Sequence, residues 1–374
     1  MHASNPTMPT RICGTIVRNM KMKRRHFLLG FTTLGLAGAG FRYWPEDGLW
    51  NPCPEEPLPQ ALLDHPLVQS AWQGIDPGRC WDCHVHLVGS GDGDSGIWVN
   101  PQMHSVAHPI QWVQGVFYYN ASCTSNDGMS DRRFVERLVW LHQQLPAGVK
   151  LMLLAFDYNH DDSGERHLER SPFHTPNAYA AAVAEQYPDR FEWIASIHPY
   201  RRDAVAALRE AVSKGARAVK WLPAAQGMDP GSPLCDDFYR AAAEFDVPLL
   251  VHAGTELAVH GGNTEDYGNP LRLRRPLEQG VRVIVAHCAS LGRGIDLDIG
   301  HQGPRVSNFE LFVRLMQEPR YQGLLYGDIS AVTQINRVGN GLETLITRGD
   351  WHSRLLNGSD YPLPGIPPLF SLNQ

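Results

Sequence analysis

Asp82-Cys-His-Val-His86 lies inside the apolar run Cys80–Leu87, which reads as a buried β-strand. Residues two apart on a strand share a face, so His84 and His86 project to the same side. Taken alone, such a pair is weak evidence of chemistry, because most histidine pairs are surface or core residues. The rest of the chain changes its weight. Seven more apolar runs follow: Val149–Asp157, Phe191–His198, Ala216–Leu222, Val247–Ala253, Val281–Cys288, Leu324–Ser330 and Leu355–Ser359. Every gap between them can hold a crossover helix. Asp131–Gln144, Pro176–Gln186, Asp203–Lys214, Asp236–Phe245 and Ser307–Gln317 show helical spacing or composition, several opening on an Asp or Ser cap. Strands rich in Val, Ile, Leu and Ala that alternate with helices predict an α/β fold with a parallel sheet covered by helices. Eight such units predict a single (β/α)8 TIM barrel; a doubly wound open sheet shares the periodicity.

The two ends of the chain fit this frame less well. Beyond the eighth strand stand Pro362, Pro364, Pro367 and Pro368, so the stretch Tyr361–Gln374 cannot supply an eighth crossover helix. The expectation is a missing last helix, as in a truncated product, with the apolar segment Pro57–Gly74 as the alternative cover for the seam. The domain reading is a signal segment at 1–45, an extension at 46–79 and a barrel at 80–374.

Other predicted strands end on metal-ligand residue types. Val251-His252 closes the fifth, Ala286-His287 the sixth and Gly358-Ser-Asp360 the eighth. At the carboxyl ends of barrel strands these side chains would meet at one mouth, and His and Asp donors suit zinc, manganese or iron. Asp157 and His198 end the second and third runs and are candidates to line the pocket. Asp328, ending the seventh, could orient a ligand histidine or touch substrate. Asn159-His-Asp-Asp162, with His167 and His174, reads as a solvated loop. Specificity is expected from the loops Gly89–Ser130 and Gly292–Arg305. Cys83 and Cys288 adjoin histidines, but their opposite parity should turn them toward the helices.

These motifs resemble the amidohydrolase superfamily, in particular its metal-dependent branch of amino-carboxymuconate semialdehyde decarboxylase-like proteins. The resemblance runs from Cys80 to Leu363 through D-x-H-V-H at 82–86, Ser196-Ile-His-Pro-Tyr-Arg201 and Ala218-Val-Lys-Trp-Leu-Pro223. It continues through Pro248-Leu-Leu-Val-His-Ala-Gly254, Ala286-His-Cys288, Tyr326-Gly-Asp-Ile-Ser330 and Gly358-Ser-Asp-Tyr-Pro362. It implies that His84, His86, His252 and Asp360 hold one divalent metal, Zn2+ by preference, with a second ion as the alternative. His287 and Lys220 would then serve a second metal or the substrate, Lys220 as a carbamylated bridge in the two-ion case. The mechanism expected of such a ligand set is a metal-activated water, its pKa lowered from about 16 toward 7. Asp360 would take the proton and His287 would steady the oxyanion. The expected function is hydrolysis of an amide, lactone or ester. The alternatives are non-oxidative decarboxylation or hydration of a carboxylated substrate, and a barrel that binds metal without turnover.

Charge and cysteines bear on location. Of the 33 Lys and Arg, seven precede Glu46, while all 39 Asp and Glu follow Pro45. A body this acidic is not a general nucleic-acid binder, and the expected partner is a small-molecule substrate. Lys21-Met-Lys-Arg-Arg-His-Phe27, followed by a short Gly- and Thr-rich apolar run to Gly40, has the layout of a twin-arginine export signal. That implies the twin-arginine export machinery as a partner, a periplasmic destination, and an oxidising compartment for the six cysteines beyond Cys13, whose pairing spacing does not give. Replacing Arg24 and Arg25 by Lys is expected to hold the protein in the cytoplasm, which cell fractionation measures; unchanged periplasmic recovery would refute the export reading.

Overall fold

All eight apolar runs form strands, in chain order: β1 (Trp81–His86), β2 (Lys150–Leu154), β3 (Phe191–Ile194), β4 (Val219–Trp221), β5 (Leu249–His252), β6 (Val283–Ala286), β7 (Leu325–Asp328) and β8 (Leu355–Leu356). The computed structural model describes residues 48–125, 127–259 and 264–370, with only the backbone of Asn340. The signal segment read at 1–45 lies outside the described residues.

Neighbouring strands pair in parallel, with β1 to β3 as one ladder and β4 to β8 as another. Two seams join the ladders. At the first, an Ala195–Val219 bridge carries β3 onto β4, and Lys220 N donates to Ala195 O at 2.7 Å. At the second, the chain beyond β8 pairs with β1: Cys83 N donates to Asn357 O, Asp360 N to His84 O and His86 N to Tyr361 O, at 2.8–3.0 Å. The sheet therefore closes on itself as a TIM barrel, and the open-sheet alternative falls.

Alternation along the strands sorts the core into two layers. Leu151, Leu153, Val219, Leu249, Val251, Val283 and Val285 pack under the helices, while Met152, Leu154, Ile194, Ala218, Leu250, Ile284 and Ala286 form a second cluster inside the barrel. Lys220 follows Ala218 by two and His252 follows Leu250 by two, so both continue the inward row toward the carboxyl-end mouth.

Helices Ser130–Gln143, Asn177–Gln186, Ala204–Ser213, Asp236–Glu244, Arg274–Glu278, Asn308–Gln317 and Asn340–Thr347 occupy the seven crossovers. Helix Pro109–Ala121 stands before them, in the long β1–β2 connection. Its run of aromatic and β-branched residues, broken by Gly115, has only a weak two-faced period. The expected Asp and Ser caps fail: neither Asp203 nor Ser307 makes a side-chain cap bond. Asp203 pairs with Arg201 instead. The cap on Ser130–Gln143 comes from far along the chain, where Asp92 accepts from Ser130 N at 2.8 Å and Asp131 N at 3.1 Å. Asp131 in return accepts from Ser90, Gly91 and Gly93 N.

Past β8, among the described residues, the helical elements are the 3-10 turns Leu363–Gly365 and Pro367–Leu369. They pack across the mouth against helix Pro109–Ala121. At Gly365 a Cβ would lie 2.4 Å from Ala121 O, so only glycine allows this approach. Segment Pro57–Gly74 does not cover the seam, because its helices Gln60–Leu63 and Pro66–Trp72 bury none of their residues. A disulfide, Cys53–Cys123, ties the extension to the end of helix Pro109–Ala121.

The Asp92 cap has a pH signature. Burial raises its carboxyl, but hydrogen bonds from Ser130 and Asp131 outweigh that and bring it to about 2. A carboxyl lower in the folded than in the unfolded chain stabilises above its unfolded pKa of about 3.9, and that contribution fades as pH falls through the folded value. Asp92→Asn is expected to lower Tm at neutral pH and to flatten the fall of Tm between about pH 4 and about pH 2. Melting curves of both proteins across that range test it, and parallel pH profiles would refute it.

Candidate metal centre

The second seam assembles the site. Asp82 Oδ1 accepts from His84 N at 3.1 Å and from Ser359 N at 2.9 Å, joining β1 to the chain after β8. The pairing of β1 with β2 shifts register between Asp82 and Val85. Gly358 allows the close approach, since a Cβ there would sit 2.8 Å from Asp328 Oδ1 and 3.1 Å from His84 Cβ. Two residues on, Asp360 turns left-handed with φ 61°, and its carboxylate enters the mouth. Asp360 Oδ1 lies 3.3 Å from His84 Nε2 and 3.2 Å from His86 Nε2, and Oδ2 lies 3.8 Å from His287 Nε2.

Hydrogen-bond partners set the imidazole protons. His84 Nδ1 is 2.5 Å from Asp328 Oδ2, a carboxylate oxygen, so Nδ1–H donates and the Nε2 lone pair faces the mouth. His287 Nδ1 lies 3.0 Å from Ser330 O, which only accepts, and its Nε2 is likewise a lone pair. That argues against the oxyanion role expected of His287, since a neutral ring in this tautomer has no Nε2–H to donate. His287, Cys288 and Ala289 all have φ of 50–55°, a left-handed run that costs backbone energy and turns the His287 ring across the mouth. His252 completes the cluster with its ring centroid 5.3 Å from that of His287. Its Nε2 is 3.3 Å from Glu256 Oε2 but misaligned, leaving it buried with no hydrogen-bond partner.

Lys220, whose face the sequence left open, points inward and donates from Nζ to His84 Nε2 at 3.1 Å. Burial pulls its ammonium below the ordinary lysine range. Burial first, then nearby cationic groups, hold His84, His252 and His287 well below 6.5 and hence neutral. Burial would raise Asp360, but His84, His86 and Lys220 together keep it ionised below the usual carboxylate range. Glu256 has less compensation, and burial pushes it up to about 7.

Ionised Asp360, neutral imidazoles and the orphaned His252 Nε2 are the donor set of a divalent cation site, and these residues fit one. Among the described residues the ligand atoms of His84, His86 and Asp360 lie within 4.8 Å of one another, as do those of His84, His287 and Asp328. The His84 lone pair that a cation needs is the one Lys220 now holds, so ammonium and cation compete for it.

Other expected residues fall elsewhere. Asp157 and His198 do not line the cavity: Asp157 pairs with Arg201 at 2.8 Å and accepts from His198 N, and His198 Nε2 bonds Gln226 O. Asp328 orients His84. The loop expected to be solvated is half wrong, because Asn159 and His160 are buried and Asn159 Nδ2 holds Ala225 O. Cys83 faces the inner cluster rather than the helices, since the register shift breaks the parity there; Cys288 packs under the helices as expected. The cavity, about 550 Å³, takes walls from the first specificity loop but none from Gly292–Arg305. Residues 256–259, 334–337 and 362–369 contribute instead. Glu256, Arg337 and Tyr118, whose hydroxyl donates to Ala258 O, were invisible to pattern because they sit on loops or on an aperiodic helix.

A family model described as Amidohydrolase matches residues 81–365. No curated protein matches the chain. Among solved structures, an uncharacterized TIM-barrel protein from Bordetella bronchiseptica aligns at 17% identity over 78% of this chain and 87% of its own, with TM-score 0.46. A probable 2-pyrone-4,6-dicarboxylic acid hydrolase from Acinetobacter baumannii aligns at 15% over 76% and 84%, with TM-score 0.41. A 5-carboxyvanillate decarboxylase from Novosphingobium aromaticivorans, solved with manganese, aligns at 15% over 79% and 91%, with TM-score 0.45.

The geometry predicts how metal content responds to substitution. His84→Ala with His86→Ala is expected to lose its ion, whereas Lys220→Met keeps one per chain. Elemental analysis of the purified variants decides both. A metal-replete double variant refutes the centre, and a Lys220→Met protein that falls from two ions to one makes Lys220 a bridging ligand.

Proposed function

The chain belongs to the amidohydrolase family, and from that premise we propose that it is a metal-dependent hydrolase of an amide, lactone or ester. The observation that carries this is Asp360 Oδ1 lying 3.2–3.3 Å from both β1 imidazoles, one of them locked by Asp328 with its lone pair toward the carboxylate. His84, His86, His252 and Asp360 would hold one ion, Zn2+ by preference given three nitrogens and one oxygen. When bound, such an ion supplies Lewis acidity and acidified water at neutral pH.

The protein's own groups do the rest. Asp360 Oδ2 is free of the two β1 imidazoles, so it can take a proton from an attacking water and return it to the leaving group. His287 Nε2, 3.8 Å away, offers a second lone pair for that proton. The apolar walls keep bulk water from competing. Arg337, whose charge reaches Asp360 and Glu256, is placed to stabilise negative charge developing on a substrate oxygen.

A second reading, non-oxidative decarboxylation or hydration, draws support from that same Arg337, a cation able to hold a substrate carboxylate. We further propose that the chain is exported; the Cys53–Cys123 disulfide supports an oxidising destination.

The test is turnover by metal-loaded protein on a panel of lactones, esters and amides, with CO2 release from carboxylated aromatics measured in parallel. Hydrolysis is expected, and Asp360→Asn should reduce it by about 10²-fold or more. CO2 release alone would replace the hydrolase reading with the second one, and metal without any turnover would leave a binding protein.

A further inference from the structure

Arg337 lines the cavity half-buried, yet among the described residues it forms no ion pair. Its guanidinium has two long contacts to neutral groups, Gln334 Oε1 at 3.3 Å and Ser290 Oγ at 3.5 Å. A desolvated guanidinium without a carboxylate is costly, and a bidentate carboxylate is the partner that best relieves it. The other cation in the cavity, Lys220, is committed to His84. Beyond the His–Asp cluster the cavity lining offers no further cation among the described residues, so a second carboxylate on a ligand would find no partner.

The rest of the cavity has a different chemistry. Ile97, Val99, Phe156, Phe173, Leu222 and Val259 form its walls. The apolar surface continues outward along helix Pro109–Ala121, where Ile110, Val113 and Phe117 share a face. Ile110 and Leu257 are 59% and 63% exposed at its outer end, and Trp50 stacks on Phe117 at 5.4 Å. An open apolar rim continuous with an apolar cavity is the surface an acyl or aryl chain would lie along.

We propose that this site takes amphiphilic monocarboxylates: Arg337 binds the single carboxylate beside the His–Asp cluster, and an acyl or aryl body fills the cavity toward the rim. Resting on the hydrolase reading, this names its substrate class. Small polycarboxylates and polar sugars or peptides are excluded by the same walls and charges.

Calorimetric binding to the metal-loaded protein tests it, using linear carboxylates from butyrate to octanoate, octanamide, and succinate. Affinity is expected to rise about fourfold per methylene, and octanoate to bind at least about tenfold tighter than octanamide. Arg337→Gln should erase that preference and Arg337→Lys restore part of it, both with unchanged metal content and circular dichroism. A flat chain-length series, tighter binding of succinate than of octanoate, or a preference for octanoate that survives in Arg337→Gln would each overturn the proposal. These readouts are separate from turnover. Arg337-dependent octanoate binding without hydrolysis defeats only the hydrolase reading, and hydrolysis confined to small polar esters defeats only this one.

Discussion

Asp360 and His86 are 274 residues apart in sequence, and backbone pairing alone brings them together. The hydrogen bonds from Asp360 N to His84 O and from His86 N to Tyr361 O close the barrel and fix where the carboxylate enters. Everything at the mouth depends on that closure. Were the sheet left open at this edge, two imidazoles and a carboxylate would stand at opposite margins with no shared lone-pair direction. Asp82, bonded to both sides of the seam, and Gly358, which leaves room for Asp328 beside His84, serve the same closure.

The strands were legible because a barrel buries both faces of its sheet, so each strand reads as a continuous apolar run. Strand ends carrying His84, His86, His252, His287 and Asp360 were legible for a related reason: a histidine or aspartate at the limit of an apolar run has few bland explanations when several runs share the trait. What escaped was set by tertiary contact. Asp203 looked like a cap and became an ion-pair partner, while the working cap, Asp92, came from a distant loop. Strict alternation failed at Cys83, where the register shift carries a residue of the outward parity into the barrel. Helix Pro109–Ala121, Glu256 and Arg337 carry no period that would reveal them, although they shape the cavity.

The electrostatics of the mouth follow from burial. Asp328, Asp360, Lys220 and three imidazoles share one nearly dry volume, a costly arrangement unless each charge is matched. Neutral imidazoles lessen the cost, and the attraction of the Lys220 ammonium for the Asp360 and Asp328 carboxylates reduces it further. Left over among the described residues are the His252 Nε2 atom, which lacks a hydrogen bond, and Arg337, which lacks an anion, besides the neutral Tyr119 hydroxyl and Gln334 amide nitrogen. The protein thus keeps unsatisfied capacity for one cation and one carboxylate in the same cavity, where a packed hydrophobic core would keep none. The left-handed backbone at His287 and Asp360 is a further expense borne where side-chain aim matters most.

The disulfide between Cys53 and Cys123 gives this cavity a dependence on its surroundings. Cys123 lies two residues past the helix that forms one wall, and Cys53 lies three residues from Trp50, which stacks on that wall. In a reducing environment the cross-link opens, and the segment bearing Leu49 and Trp50 is held by non-covalent ties, among them the Trp50–Phe117 stack and the hydrogen bonds through Asn51 and Asn120. Thiol–disulfide status then tunes how firmly the entrance is held, so the same polypeptide would present a looser doorway inside a cell than outside it.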